Sequence, residues 1–516
     1  MEQLPALKIF PWDDAAVRNA IQERNGPLFL TGHRRTWLHD HATDSYFAAP
    51  DDVARLGFAV AHAIDDGAPP VSDLADEVRS RAARIAAALL IARRPLVIGG
   101  TRSGSDATIE AAANVAWALH RKGKHARITF ALEECNSLGL ALLGGGTLES
   151  AFDALRRGEI DTAIVLENDL YRRTEHPAAE EFLKAARGVI VIDSLEHRTT
   201  EAADVILPAA TVPESDGTLV NQEGRAQRFF QVFVPDGDVA ESWRWLRDLA
   251  RALDRPLARE AETMGGLAGW KNLDDAVTAA AAAVPEFAKL GDVAPGAGFR
   301  IAGKKIPRQP ERYSGRTAML AHLTVHEPPP PDDPDTPLAF SMEGYRGPVP
   351  SPLIPQFWSP GWNSVQALNK YQDEAGGPLR EERPGIRLIE PIAWKEPVWF
   401  TTVPGAFRSM PGRWLLLPVS ELFGTEELSA RSPAIGTRIP APFILFHPSD
   451  GRRLGLEQGG AIALNLQARS YRVSVRFDPS TPLGTAGLSL VGDAADAVLP
   501  AWVDLAEAIR TERRAA

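Results

Sequence analysis

The sequence predicts an α/β protein: a doubly wound, mostly parallel sheet domain followed by a C-terminal β-barrel domain. Two patterns carry the expectation. Between about residues 60 and 255 short apolar runs alternate with amphipathic stretches, and over the last hundred residues the runs shorten and alternate with period two. A length of 516 residues suits roughly three domains at about 150 residues each, and 44% hydrophobic content supplies sizeable cores. A disordered chain is thereby excluded for most of the length.

The elements follow in chain order. PLVIGG (95–100) reads as a strand, and the stretch from Ser105 to His120 carries Ile109, Ala112, Ala113, Ala116 and Trp117 at helical spacing. Thr147 is placed to N-cap LESAFDALRRG, with Leu148, Phe152 and Leu155 on one face and Gly158 past the end. DTAIVLEN (161–168) is a buried strand. The next helix has Pro177 near its start, Glu180 and Glu181 early, Lys184 and Arg187 late, and Gly188 as its stop; RGVIVIDS (187–194) is the following strand. Further on, AVTAAAAAV (276–284) is helical, and HEPPPPDDPDTPL (326–338) is a proline-rich connector that can neither pair in a sheet nor continue a helix. From 339 to 414 Gly, Pro and Trp are frequent, including Trp358, Trp362, Trp394, Trp399 and Trp414, which predicts irregular chain pinned by aromatic anchors. In YRVSVRF (471–477) Tyr471, Val473, Val475 and Phe477 alternate with polar residues, and PFILF (442–446), AIALNL (461–466) and GLSLV (487–491) are similar short runs. The expected division is a partial N-terminal segment (1–60), the α/β domain (61–255), an irregular connecting region (256–400) and the β-barrel (401–516).

Composition removes several functions. With 56 basic and 67 acidic residues the formal charge is −11, which argues against a nucleic-acid partner. Cys135 is the lone cysteine, so a disulfide framework, a CxxC zinc site and a cluster held by four thiolates of this chain are excluded. The most apolar segment, AARIAAALLIARRP (82–95), is broken by Arg84, Arg93 and Arg94, and MEQLPALKIFPWDD does not read as a secretory signal. A soluble or peripherally attached protein of the cytoplasm is expected.

The candidate motifs each have an ordinary rival. GGTRSGSD (99–106) joins a strand to a helix, where backbone N–H groups could hold a phosphate, but it is neither GxGxxG nor a Walker loop; a plain turn capped by Ser103 or Ser105 is the favoured reading. In LEECNSLG (132–139) Glu133 and Glu134 disfavour a reactive Cys135 thiolate, leaving a structural loop at the carboxyl edge of the sheet. His33, His39 and His41 lack the spacing of a metal helix, and no GxSxG anchors a hydrolase triad. The informative stretch is TEAADVILPAATVPESDGTLVNQEGRAQRFFQVF (200–233), a double-turn loop presenting Glu214, Asn221, Glu223 and Arg225 at a domain edge. Asp216, Gly217 and Gly224 read as turn formers, with Gly217→Val expected to destabilise the domain if that turn needs positive φ, and Glu223 with Arg225 as a local ion pair.

That stretch resembles the loop shared by molybdopterin-dependent oxidoreductases of the formate dehydrogenase and DMSO reductase type and by their non-catalytic relative, the G subunit of bacterial proton-pumping NADH:quinone oxidoreductase (complex I). FFQVFVPDGDVAESWRWL (229–246), FSMEGYRGPVP (340–350), SPGWNSVQALNKYQDEAGGPLR (359–380) and LFGTEELSARSPAI (422–435) favour the G subunit, and PFILFHPSDGRRLGLEQGGAIALNL (442–466) looks like the dinucleotide-binding barrel of the superfamily.

The resemblance implies a fold of the molybdopterin oxidoreductase type and a structural subunit, or a fragment of one, in the peripheral arm of a respiratory-chain complex that passes electrons from NADH to quinone. It implies no catalytic residue and no metal ligand in this chain. Iron–sulfur clusters are expected on partners or on an N-terminal part that this sequence lacks, the chain being either a separately encoded half or a truncation. The partners would be the other hydrophilic-arm subunits, and the location the cytoplasmic face of the inner membrane, reached through the complex. Glu214, Thr218, Asn221 and Arg225 are the vestigial pterin-site candidates. LFGTEELSARSPAI stands where a donor-rich metal-site stretch is expected, and GLSLVGDAADAV (487–498) lacks an Asn often seen near the pterin; both departures argue against bound molybdopterin. The alternative is a molybdopterin-dependent oxidoreductase whose metal-ligand segment lies on another chain.

Overall fold

The structure, a computed structural model, describes residues 26–232, 234–252, 266–293, 385–390 and 396–511. β1 (Phe29–Gly32) and β2 (Asp44–Phe47) pair in parallel and lead into a helix, Pro50–Ile64. Pro50 sits in its first turn with Asp51 and Asp52, where a missing N–H is tolerated and negative charge meets the positive end of the helix dipole. Leu56 and Val60 pack with Val115, Ala118 and Leu119 of the helix Asp106–Arg121, and Phe58 with Ala111. The expected boundary at 60/61 therefore falls inside a helix, one that buries its apolar face on elements that follow it.

The strand–helix–strand reading yields parallel strands in two separate ladders. β3 (Leu96–Gly100) pairs with β4 (Arg127–Ala131), while β5 (Thr162–Leu166), β6 (Gly188–Asp193) and β7 (Val205–Pro208) form a three-stranded parallel sheet in that order. Among the described residues no pairing joins the two, so the expected doubly wound sheet is seen as two pieces. Hydrophobic period identifies a strand and its buried face but carries nothing about its lateral neighbour. The helices Leu148–Arg156 and His176–Ala185 cover the three-stranded piece, with Phe152 stacked on Phe182 at 4.4 Å between ring centroids. Thr147 caps the first of them as expected: its hydroxyl accepts from Ser150 N at 3.1 Å.

β8 (Gly217–Val220) and β9 (Arg225–Phe229) form an antiparallel hairpin, and β10 (Ile386–Arg387) adds to the free edge of β9. The helix Leu273–Ala283 covers the alanine-rich run. The connector 326–338 and Trp358, Trp362 and Trp394 lie outside the described residues, whereas Trp399 packs on the core around Leu56 and Leu119. There Asn114 grips the chain from both sides, donating to Phe400 O at 2.8 Å and accepting from Phe400 N at 3.1 Å, and Arg55 donates to Pro404 O at 2.8 Å. Chain on both sides of 400/401 thus serves the N-terminal helices.

The C-terminal unit is a seven-stranded mixed sheet: β11 (Trp414–Val419), β12 (Phe443–Phe446), β13 (Ala461–Leu466), β14 (Arg469–Phe477), β15 (Thr485–Ser489), β16 (Ala501–Val503) and β17 (Ile509–Thr511), ordered β16-β11-β15-β12-β14-β13-β17. Tyr471, Val473 and Val475 are buried between more exposed Arg472, Ser474 and Arg476, as their alternation requires. β16 and β17 end the sheet, and among the described residues nothing pairs them with each other. The sheet is open where a barrel was expected. Alternation sets which face is buried; whether two edges meet depends on twist and stagger accumulated over all seven strands.

Candidate functional site

In an α/β fold the carboxyl ends of the parallel strands are where ligands bind. Here the ends of β5 and β6 carry a tight polar cluster. Thr199 donates to Asp169 at 2.7 Å and accepts from Leu170 N at 2.9 Å, while His197 Nε2 lies 3.1 Å from Asp193. Burial is the largest single influence on His197 and pushes it down. The Asp193 hydrogen bond and the charges of Asp169, Asp193 and Glu427 outweigh burial, so its pKa is raised. Asp193 is lowered in return, its own burial being outweighed by His197 and by backbone N–H groups of Leu195 and Ser194. Sequence reasoning missed this cluster, although two aspartates at consecutive strand ends were the available signal.

The C-terminal unit closes over this edge. Arg172 donates to Thr425 O at 3.0 Å and meets Glu427 at 2.5 Å, and Arg431 donates to Glu196 O at 2.9 Å. The stretch 422–435 is thus a clamp onto the strand ends. Every one of these bonds joins side chain or backbone of this chain to itself.

The sequence-derived candidates lie elsewhere, along the β8–β9 hairpin. Glu214 is at its open end, Thr218 within β8 opposite Arg228, and Asn221 with Arg225 at its tip. Only the last two are brought together, since a four-residue strand separates the ends by about 13 Å. The Glu214 carboxylate and the Asn221 side-chain oxygen are satisfied locally. The Glu214 carboxylate accepts from Thr211 N at 3.0 Å and Thr211 Oγ1 at 2.7 Å; the Asn221 side-chain oxygen accepts from Glu223 N at 2.9 Å and Arg225 N at 3.1 Å. Arg225 donates to Gly385 O at 3.3 Å and lies 3.9 Å from Glu223, which Arg387 shares at 3.8 Å. The Glu214 carboxylate and the Asn221 oxygen are engaged acceptors with nothing to give the phosphates of a pterin dinucleotide, while Arg225 keeps N–H groups beyond these contacts.

Of the turn readings, one changes. Gly224 has φ +71°, with Ile389 Cβ 2.8 Å from where a Cβ would stand, so it is a turn glycine on both counts. Gly217 has no positive φ: it is a strand residue facing Phe229, whose ring occupies the space a Cβ would need. Asp216 does close the loop, accepting from Gln231 N at 2.6 Å.

The loop 99–106 packs against the C-terminal unit: Gly104, at φ +63°, sits under the Pro500 ring. Ser105 occupies the N-cap position without a side-chain cap bond; Thr108 instead donates to Ser105 O at 2.8 Å. Neither predicted serine cap forms. Nearby, Arg102 holds Glu133 at 2.9 Å and Arg173 holds Glu134 at 2.9 Å, while Cys135 is exposed.

The clustered histidines part ways. His39 accepts from Thr36 N at 3.0 Å and stacks on Phe47, His41 meets Trp37 edge-on, and His33 is pushed down to about 4 by burial and then by Arg34. Among the described residues no group of three or more His, Cys, Asp or Glu is placed to hold a metal, and no helix is long and apolar enough to cross a membrane.

Comparisons with known proteins agree with the resemblance. Residues 75–252 match the family model of the molybdopterin oxidoreductases. The chain is 46% identical over 490 residues to the G subunit of NADH-quinone oxidoreductase of Pseudomonas fluorescens, covering 94% of this chain and 53% of that one. It is 43% identical over 495 residues to the same protein of Salmonella typhimurium and 42% identical over 495 residues to that of Escherichia coli K12, each time covering 95% of this chain and 53% of the relative. The chain spans about half the length of the curated relatives it matches. Among solved structures, acetylene hydratase from Pelobacter acetylenicus aligns over 91% of this chain and 67% of its own at 13% identity and a TM-score of 0.43.

Proposed function

We propose that this chain is a structural part of the peripheral arm of an NADH:quinone oxidoreductase, using a molybdopterin-oxidoreductase fold as a scaffold with no chemistry of its own. The observation that carries the reading is identity of 42–46% to the G subunit of that complex over nearly the whole chain. Its partners would be the other hydrophilic-arm subunits. Its iron–sulfur clusters would reside on those partners or on the half of the G subunit that this chain does not span, and its place would be the cytoplasmic face of the membrane. The locally satisfied side chains of Glu214 and Asn221 and the clamp of Arg172 on Thr425 and Glu427 support a scaffold in which the ancestral cleft is filled by protein. We read the open C-terminal sheet as the counterpart of the superfamily's dinucleotide-binding barrel.

The test is native electrophoresis after mild detergent extraction, with the chain tagged at its genomic locus. Comigration with the NADH-oxidising assembly is the expected result. Recovery of the chain alone, beside an intact assembly that lacks it, overturns the proposal.

The family match over residues 75–252 favours one other reading, a molybdenum or tungsten pterin enzyme completed by a second chain. Metal analysis and pterin fluorescence of the purified protein decide it, and absence of both ends it.

A further inference from the structure

Where the α/β part meets the C-terminal sheet, a cavity of about 500 Å³ is lined by His176, Pro177, Glu180, Arg198, Ala468 and Arg469. It lies outside the hairpin and the 422–435 clamp, and nothing in the scaffold reading uses it. His176 opens the ten-residue helix His176–Ala185, so the positive end of the helix dipole faces this region.

The ring of His176 is oriented by its neighbours. Its Nδ1 lies 3.0 Å from Arg198 Nη1, and because a guanidinium can only donate, Nδ1 is the acceptor. Burial, then the charges of Arg198 and Arg469, lower its pKa, so near neutral pH the ring is uncharged and its single proton sits on Nε2. That Nε2–H has no hydrogen-bond partner although the side chain is only 3% exposed; the nearest carboxylate, Asp496, stands 3.5 Å away and is engaged by Arg469. A buried donor left unmade costs about 1–3 kcal/mol.

The two guanidiniums come from opposite sides of the cavity, and each has N–H groups beyond those its protein partners take. Arg198 lies over the Tyr171 ring at 4.0 Å and gives one N–H to His176 and one to Glu180, at 3.1 Å. Arg469 lies 5.5 Å from the Tyr471 ring centroid and bonds Asp496. Of the five N–H groups each guanidinium carries, most remain. Glu180 is paired with Arg198 and Asp496 Oδ2 with Arg469; Asp496 Oδ1 has no hydrogen-bond partner, while the remaining open groups of His176, Arg198 and Arg469 are donors.

We propose that this cavity binds a small oxyanion, a carboxylate or a phosphate group, held between Arg198 of the α/β part and Arg469 of the C-terminal sheet, with His176 Nε2–H as the third donor. Such a ligand touches both parts at once, so its binding strengthens their docking. The site is independent of the assembly proposed above, and the purified full chain tests it without partners.

The measurement is isothermal titration at constant ionic strength with inorganic phosphate in one arm and succinate in the other, alongside thermal unfolding. Binding in either arm, with a Tm that climbs with ligand concentration, is the expected result, and the arm that responds identifies the head group. Arg469→Gln, at a side chain 35% exposed, is expected to weaken binding at least tenfold. Asp496→Asn frees Arg469 and is expected to tighten binding severalfold, which damage to the fold does not produce. Absence of binding in both arms overturns the proposal, as does equal affinity of wild type and Arg469→Gln.

Discussion

Gly217 faces the Phe229 ring across the β8–β9 ladder, and any side chain there must displace it. Gly217→Val is expected to lower stability by about 1–3 kcal/mol, the range for overpacking a tight site. Urea denaturation checks it, and Phe229→Ala in the same chain should restore much of the loss, since the fault is crowding and not backbone conformation. His33 supplies a pH signature. Its pKa of about 4 in the folded protein lies below the 6.5 of an unperturbed histidine, so the unfolded chain binds the proton first as pH falls. Its contribution is complete above pH about 6.5 and erodes as pH drops toward 4, by up to about 3 kcal/mol. Stability profiles of wild type and His33→Gln should diverge across that window; parallel profiles would show that His33 is not the group responsible.

At the scale of single elements, the turn between β13 and β14 places Gln467 and Ala468 at φ +52° and +61°, the left-handed region that a hairpin turn of this type demands. Gln467 is held there by accepting from Val498 N at 3.1 Å and donating to Val498 O at 2.8 Å. No side-chain hydrogen bond is open to Ala468, so Ala468→Gly should stabilise by about 1 kcal/mol in thermal unfolding. Conversely, Thr147→Ala removes the cap on Ser150 N and should destabilise the helix Leu148–Arg156 by about 1 kcal/mol. The cap, the helix period and the stop at Gly158 were all visible in the sequence because each is decided within a few residues. The cap expected from Ser103 or Ser105 does not form in a loop where Pro500, remote in sequence, packs on Gly104.

At the scale of the whole molecule, cohesion comes from bonds of long sequence span. Asn114 ties Phe400 to the helix Asp106–Arg121 through two hydrogen bonds, and Asn114→Leu should cost about 2–3 kcal/mol and free the 396–407 segment for proteolysis before global unfolding. Uniform protease resistance in that variant would disprove the tie. The strands, their buried faces, the capped helices and the likeness to the G subunit of complex I were determined by the sequence alone, because period and local motif are properties of neighbouring residues. The lateral partners of β3 and β5, the open edges at β16 and β17, the helix that crosses residue 60 and the His176–Arg198–Arg469 cavity were decided only in three dimensions. Each depends on groups between about 20 and several hundred residues apart, and no local pattern encodes which distant surface will fill a given face. The candidate residues show the same division. Asn221 and Arg225 were rightly seen as neighbours at a turn, but that the Asn221 oxygen is engaged by backbone N–H groups and that Arg225 reaches Gly385 O became visible only when the chain had closed on itself.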